Sequence, residues 1–216
     1  MKLYRLEYSC YARKAQMVLD LLGHPYECVD VAFGDRAELA KLTGGYIQVP
    51  VLVDDDGAVT VDSRAICAKL VSLEPGRHLV PSPWEGPIWA YADWCDGPLE
   101  DVMFRIATPL ARDGFFRDPW ERALYVFVKE RKFGTGCVDE WARNQGALVA
   151  RAAELLAPSG ETLRRRPFLF GDEPTLADAA LYGQLVMLEF VDAGLPARLG
   201  AEWPRWMRTL EAKAKR

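Results

Sequence analysis

The chain has 216 residues, half of them hydrophobic and 27% charged, which excludes a disordered or fibrous body. At about 150 residues per domain it makes one large or two small domains. Twenty-seven basic against 31 acidic residues leave a net charge of −4, which argues against a nucleic-acid surface. The one basic run, Arg164-Arg165-Arg166, reads as a solvated loop. The longest apolar runs reach six residues, as from Ala123 to Val128, whereas a membrane span needs about 20. Met1 to Glu7 lacks the apolar stretch of a secretory signal. The five cysteines, at 10, 28, 67, 95 and 137, are scattered, and there are two histidines. Neither a disulfide framework nor a metal site is expected, and free thiols point to a reducing cytoplasm.

The first 75 residues read as β-α-β-α-β-β-α. Leu3 to Leu6 is a short strand. Ala12, Ala15, Val18, Leu19 and Leu22 then share one helix face, with Gly23 and Pro25 as the stop. Tyr26 to Val31 is β-prone, and Asp35 to Leu42 is a second helix closed by Gly44-Gly45. Val51 to Val53 and Ala58 to Val61 flank Asp54-Asp55-Asp56-Gly57, a hairpin signal. Asp62 or Ser63 caps a third helix, which Glu74-Pro75-Gly76 ends. A linker over 76–83 leads to residues 84–216, which read as helix throughout. Trp84, Ile88, Tyr91, Cys95, Leu99 and Val102 form one stripe, bent at Pro98. Asp118-Pro119-Trp120-Glu121 starts the next helix, with Trp120, Leu124, Phe127 and Val128 on its apolar face. One helix is predicted from Val138 to Leu156, closed by Pro158. Thr175-Leu176-Ala177-Asp178 is a capping-box pattern before a helix over Ala179 to Val191, stopped by Gly194. A final helix begins at Pro204.

Two sequence-distant spots can carry chemistry. Ser9-Cys10 sits between the first strand and first helix, where an α/β sheet collects ligands and a helix N-terminus offers free N–H groups. On its own, this segment reads first as an N-cap at Ser9 and a small buried residue at Cys10. Gln48-Val49-Pro50 opens the third strand; a proline there leaves its neighbour's backbone unpaired, and a cis bond would turn Val49 toward a ligand. Asp62-Ser63 offers a carboxylate for a cation, with N–H groups and a hydroxyl for an anion. Each piece alone is also satisfied as a strand start or a cap.

In order and spacing, Ser9-Cys10-Tyr11-Ala12-Arg13-Lys14, Gln48-Val49-Pro50-Val51-Leu52 and Asp62-Ser63-Arg64-Ala65-Ile66 resemble the cytosolic glutathione transferases. Phe168-Leu169-Phe170-Gly171-Asp172 and Pro174-Thr175-Leu176-Ala177-Asp178 are similar to that family's second-domain motif. The resemblance implies a thioredoxin-like βαβαββα domain followed by an all-helical domain. It implies glutathione as cosubstrate, a small electrophile as substrate, a cytoplasmic homodimer and a role in detoxification, with no metal, nucleic acid or membrane. It further implies that Val49 pairs with glutathione's cysteinyl backbone, that Pro50 is cis, that Asp62 and Ser63 hold the γ-glutamyl end, and that Gln48 reaches the glycyl end. Ser9 is the expected thiolate-stabilising residue. Cys10 keeps alternatives open: a glutathione-linked thiol transferase, or a maleylacetoacetate-type isomerase as in the zeta class, which has Ser-Cys and Gln-Val-Pro but a serine where this chain has Tyr8. A non-catalytic glutathione- or partner-binding module is the remaining alternative. Tyr11, Met103, Phe104 and Trp120 are the expected walls of an electrophile pocket over the bent helix.

The chemistry has a definite size. A free thiol is about 3% thiolate at pH 7, and lowering its pKa by about two units needs about 2.7 kcal/mol. One hydrogen bond to a charged acceptor contributes about 1.5–3 kcal/mol, and a helix N-terminus about 0.3–1 kcal/mol. Ser9 with the helix start at Cys10 is sufficient, without a basic histidine.

Overall fold

A computed structural model describes residues 1–73 and 76–214. Glu74 and Pro75, expected to end the third helix, lie outside the described residues. The N-terminal half holds β1 (Lys2–Arg5), α1 (Cys10–Leu22), β2 (Glu27–Asp30), α2 (Ala37–Thr43), β3 (Val51–Val53), β4 (Val59–Val61) and α3 (Ser63–Ser72). Its sheet runs β2-β1-β3-β4, with β1 parallel to β2 and antiparallel to β3, and β3 antiparallel to β4. This is a thioredoxin-like domain, followed by an all-helical one. Local chemistry sets the element ends. Gly23 and Gly44 take the left-handed conformation that closes α1 and α2, at φ 66° and 73°. Gly57, at φ 85°, turns the β3–β4 hairpin.

The helical half holds α4 (Glu85–Trp94), α5 (Glu100–Gly114), α6 (Pro119–Phe133), α7 (Cys137–Arg143), α8 (Gln145–Leu163), α9 (Leu176–Val191), α10 (Leu195–Leu199) and α11 (Glu202–Ala214). Between α4 and α5 the expected bend takes the form of a π-type turn over Cys95–Leu99 that contains Pro98. Asp118 caps α6 by accepting from the N–H groups of Trp120 and Glu121, both at 2.9 Å. The capping box is present at α9: Asp178 accepts from the Thr175 N–H and hydroxyl, both at 2.9 Å, and from the Leu169 N–H at 3.0 Å.

Three expectations are corrected. The helix predicted from Val138 to Leu156 is two, because Asn144 leaves helical geometry (φ −100°, ψ 14°) and the Gln145 amide turns back to the Ile106 and Trp141 carbonyls. Pro158 stands inside α8, where Ser159, Gly160 and Leu163 are buried and that burial outweighs the local break. The apolar stripe of α6 is largely uncovered: Trp120 is 60% exposed and Phe127 56%, and the fully buried side chain is Tyr125.

One apolar core runs through both halves. It joins Leu3, Val18, Leu52 and Ile66 to Leu99, Met103, Leu181 and Leu185. α1 is the element between them, packed on α3 on one side and α9 on the other. Among the described residues no helix is long and apolar enough to cross a membrane, and no cluster of His, Cys, Asp and Glu could hold a metal.

Candidate functional site

The turn after β1, the peptide before β3 and the start of α3 meet at one end of the sheet, facing α5 and α6 across a cleft. The cleft has two adjoining cavities of about 500 and about 400 Å³. Ser9 and Cys10 line the larger, Pro50, Asp62 and Ser63 the smaller, and Gln48 and Val49 both. The three motifs read from the sequence are therefore brought together.

Ser9 is the N-cap of α1, its Oγ accepting from the Ala12 N–H at 3.3 Å. A capping hydroxyl accepts with a lone pair and keeps its proton to donate. Cys10, the first residue of α1, is buried at 4% exposure. Burial pushes its thiol far above the ordinary range, and the nearby Glu100 and Asp96 carboxylates push the same way against Lys14. The Val49–Pro50 bond is cis. Asp62 holds φ 73°, which side chains rarely adopt, while its Oδ1 caps α3 through the Arg64 and Ala65 N–H groups at 2.8 and 3.2 Å. Among the described residues Asp62 Oδ2 has no partner, in an exposed position, with Ser63 buried beside it.

The expected electrophile walls divide. Tyr11 and Phe104 line both cavities, and the Tyr11 hydroxyl donates to the Asp96 carbonyl at 3.2 Å. Met103 does not line the cleft; it is fully buried in the core, because Glu100, Phe104, Ala107, Thr108 and Ala111 form the face of α5 that looks inward to the cleft. Trp120 does not line it either. Its ring lies over Gly34, at the outer end of α6, so close that a methyl group there would come within 2.2 Å of it.

The larger cavity is also lined by Tyr8, Phe33, Arg36 and Lys129, with Glu100. Tyr8 packs edge-on against Phe116 and Tyr125, at 5.9 and 6.3 Å between ring centres. Arg36 donates through Nε to the Phe33 carbonyl at 3.2 Å, and its Nη1 is buried with no partner among the described residues. Lys129 Nζ lies 4.6 Å from the centre of the Phe104 ring and 5.0 Å from that of Tyr125. Burial pulls Lys129 down to about 8 and pushes Glu100 up to about 7. No sequence signal separates Lys129 from the solvated run Lys129-Glu130-Arg131-Lys132.

Residues 3–78 match the family model described as glutathione S-transferase, N-terminal domain, and residues 136–209 match glutathione S-transferase, C-terminal domain. The chain belongs to the glutathione S-transferase family. Solved structures of the same fold include glutaredoxin 2 from Salmonella typhimurium in complex with glutathione, 19% identical with a TM-score of 0.76, covering 99% of this chain and 94% of that one. A glutathione S-transferase of Ceriporiopsis subvermispora in complex with glutathione is 19% identical with a TM-score of 0.73, covering 98% of each chain. Another from Rhodospirillum rubrum is 22% identical with a TM-score of 0.69, covering 100% of this chain and 88% of that one. At these identities the likeness is one of fold. Comparison with curated proteins gives no match. Within the chain, α4, α5 and α6 fall between the two matched spans, and Glu100, Phe104 and Lys129 lie on that stretch.

Proposed function

We propose that the protein is a glutathione transferase that adds the glutathione thiolate to small, largely apolar electrophiles. The observation that carries this reading is the Ser9 hydroxyl, held on the cavity wall at the start of α1 with its proton free to donate. Glutathione lies along the smaller cavity, its γ-glutamyl end at Asp62 and Ser63, its cysteinyl backbone at Val49 and its glycyl end toward Gln48. The sulfur then reaches Ser9, and the apolar walls of the larger cavity take the electrophile. The glutathione bound in the two related structures supports the ligand assignment. Residues 1–75 form the glutathione-binding domain and 84–216 the domain that supplies the electrophile side, with 76–83 as linker. The free thiols fit a reducing cytoplasm, and the family resemblance implies a homodimer with a detoxifying role.

The Ser9→Ala variant tests the reading. It should still be retained on immobilised glutathione, while kcat with a generic aryl halide falls roughly 10- to 100-fold, the worth of one charged hydrogen bond. Unchanged turnover would sink the role of Ser9, and loss of retention would mean that Ser9 serves binding instead.

A second reading, with Cys10 as the working thiol, is disfavoured by burial. A nucleophilic cysteine needs an accessible thiolate, and the surroundings of Cys10 keep it protonated.

A further inference from the structure

Where the two cavities join, α5 presents Glu100 and α6 presents Lys129; both residues line both cavities. The Lys129 ammonium rests against the Phe104 and Tyr125 rings and, among the described residues, makes no hydrogen bond or ion pair. The Glu100 carboxyl likewise has no hydrogen-bond partner among them. Around this polar seam the larger cavity is apolar, with Leu6, Phe33, Ala107, Leu124 and Met187 on its walls. A ligand that fits has an apolar body and one electron-rich oxygen placed at the seam, next to the incoming sulfur.

We propose that Lys129 and Glu100, which both line the two cavities, activate the electrophile when it carries a carbonyl conjugated to the attacked double bond. The proposal rests on the glutathione-transfer reading above. The thiolate sulfur attacks the β-carbon, and the S–C bond forms as the C=C π pair moves toward the carbonyl. The carbonyl oxygen becomes an enolate oxyanion, which the Lys129 ammonium stabilises. The Glu100 carboxyl gives its proton to the α-carbon, the carbonyl re-forms, and Glu100 is left as carboxylate. It regains the proton released when the next glutathione thiol ionises. The net change moves the thiol proton to the α-carbon and needs no other reactant.

The charge states suit these roles. Burial lifts Glu100 to about 7, with Lys132 and Lys129 pulling it down and Asp101 and Asp96 pushing it up. Burial lowers Lys129 to about 8, with Glu100, Cys10 and Cys137 raising it and Lys132 lowering it. Near pH 7 a large share of Glu100 carries its proton, and most of Lys129 is ammonium.

The test compares trans-4-phenyl-3-buten-2-one with benzyl chloride, using glutathione and the full chain as wild type, Lys129→Met, Lys129→Arg and Glu100→Gln. Lys129→Met should lose roughly 10²-fold more kcat/KM on the enone than on the chloride, the worth of one oxyanion donor. Lys129→Arg should recover part of that loss. With the enone, wild-type kcat should fall as pH rises past about 7, and Glu100→Gln should have a lower kcat whose fall begins at higher pH. Equal losses on both substrates would overturn the proposal. So would a higher KM for glutathione with both substrates in Lys129→Met, which would place the ammonium on a glutathione carboxylate. A wild type that uses the chloride but not the enone overturns this proposal alone. A wild type that uses neither overturns the transfer reading and this proposal with it.

Discussion

Ser9 and Cys10 are adjacent and have opposite surroundings. Ser9 caps α1 from the cavity wall, whereas Cys10 is 4% exposed and its burial and the Glu100 and Asp96 carboxylates oppose its ionisation. A buried, protonated thiol reacts slowly with disulfides. Intact-mass measurement after incubation with glutathione disulfide at pH 7.5 is expected to show Cys10 unmodified; an adduct there would restore the redox reading. That Ser9, Val49, Pro50, Asp62 and Ser63 stand at element ends was legible, because the residue type of each helps to create that end; their place on one cleft is the fold's. Glu100 and Lys129 were not, because a charged side chain on a helix points to solvent unless another element covers it, and the covering element is remote in sequence.

Helix ends followed local chemistry and helix faces followed partners. The Thr175–Asp178 box and the glycine stops at 23 and 44 were readable because their donors and acceptors lie within a few residues. The α6 stripe was readable as apolar, yet Trp120, Phe127 and Val128 on it are exposed, since period detects a face and not what the face meets. Close helix contact is equally non-local. At Gly183 on α9 a methyl group would come within 2.4 Å of the Cys10 carbonyl oxygen and 3.1 Å of the Lys14 nitrogen. Gly183→Ala should therefore push α9 from α1, costing about 1–3 kcal/mol in urea unfolding and lowering turnover through displacement of Ser9. Unaltered stability would mean that the two helices part freely.

The two halves are tied by charge as well as by the common core. Lys14 on α1, 2% exposed, forms an ion pair with Asp96 in the turn between α4 and α5. Burial raises the Asp96 carboxyl above its usual range, and Lys14 restrains that rise. With the folded value above the unfolded one, the native state holds its proton longer, so stability is lost as pH rises through the folded value. Removing Lys14 widens that gap. Lys14→Met should cost about 3 kcal/mol at pH 8, as for a broken buried pair, and less at pH 5, because the upward push of burial on Asp96 is then no longer restrained by Lys14. Urea unfolding at the two pH values measures it, and an equal cost at both would remove Asp96 from the account.

The order of strands and helices, their caps, the cis proline position and the three glutathione-type motifs were all set by neighbouring residues, so the sequence alone determined them. The course of α6 over the cleft, the retreat of Met103 into the core, the exposure of Trp120 and the placing of Glu100 and Lys129 on the same cavities depended on the packing of α5 and α6. That packing is decided by contacts between segments far apart in the chain, where burial energy and helix phase act together, and no local pattern records the outcome.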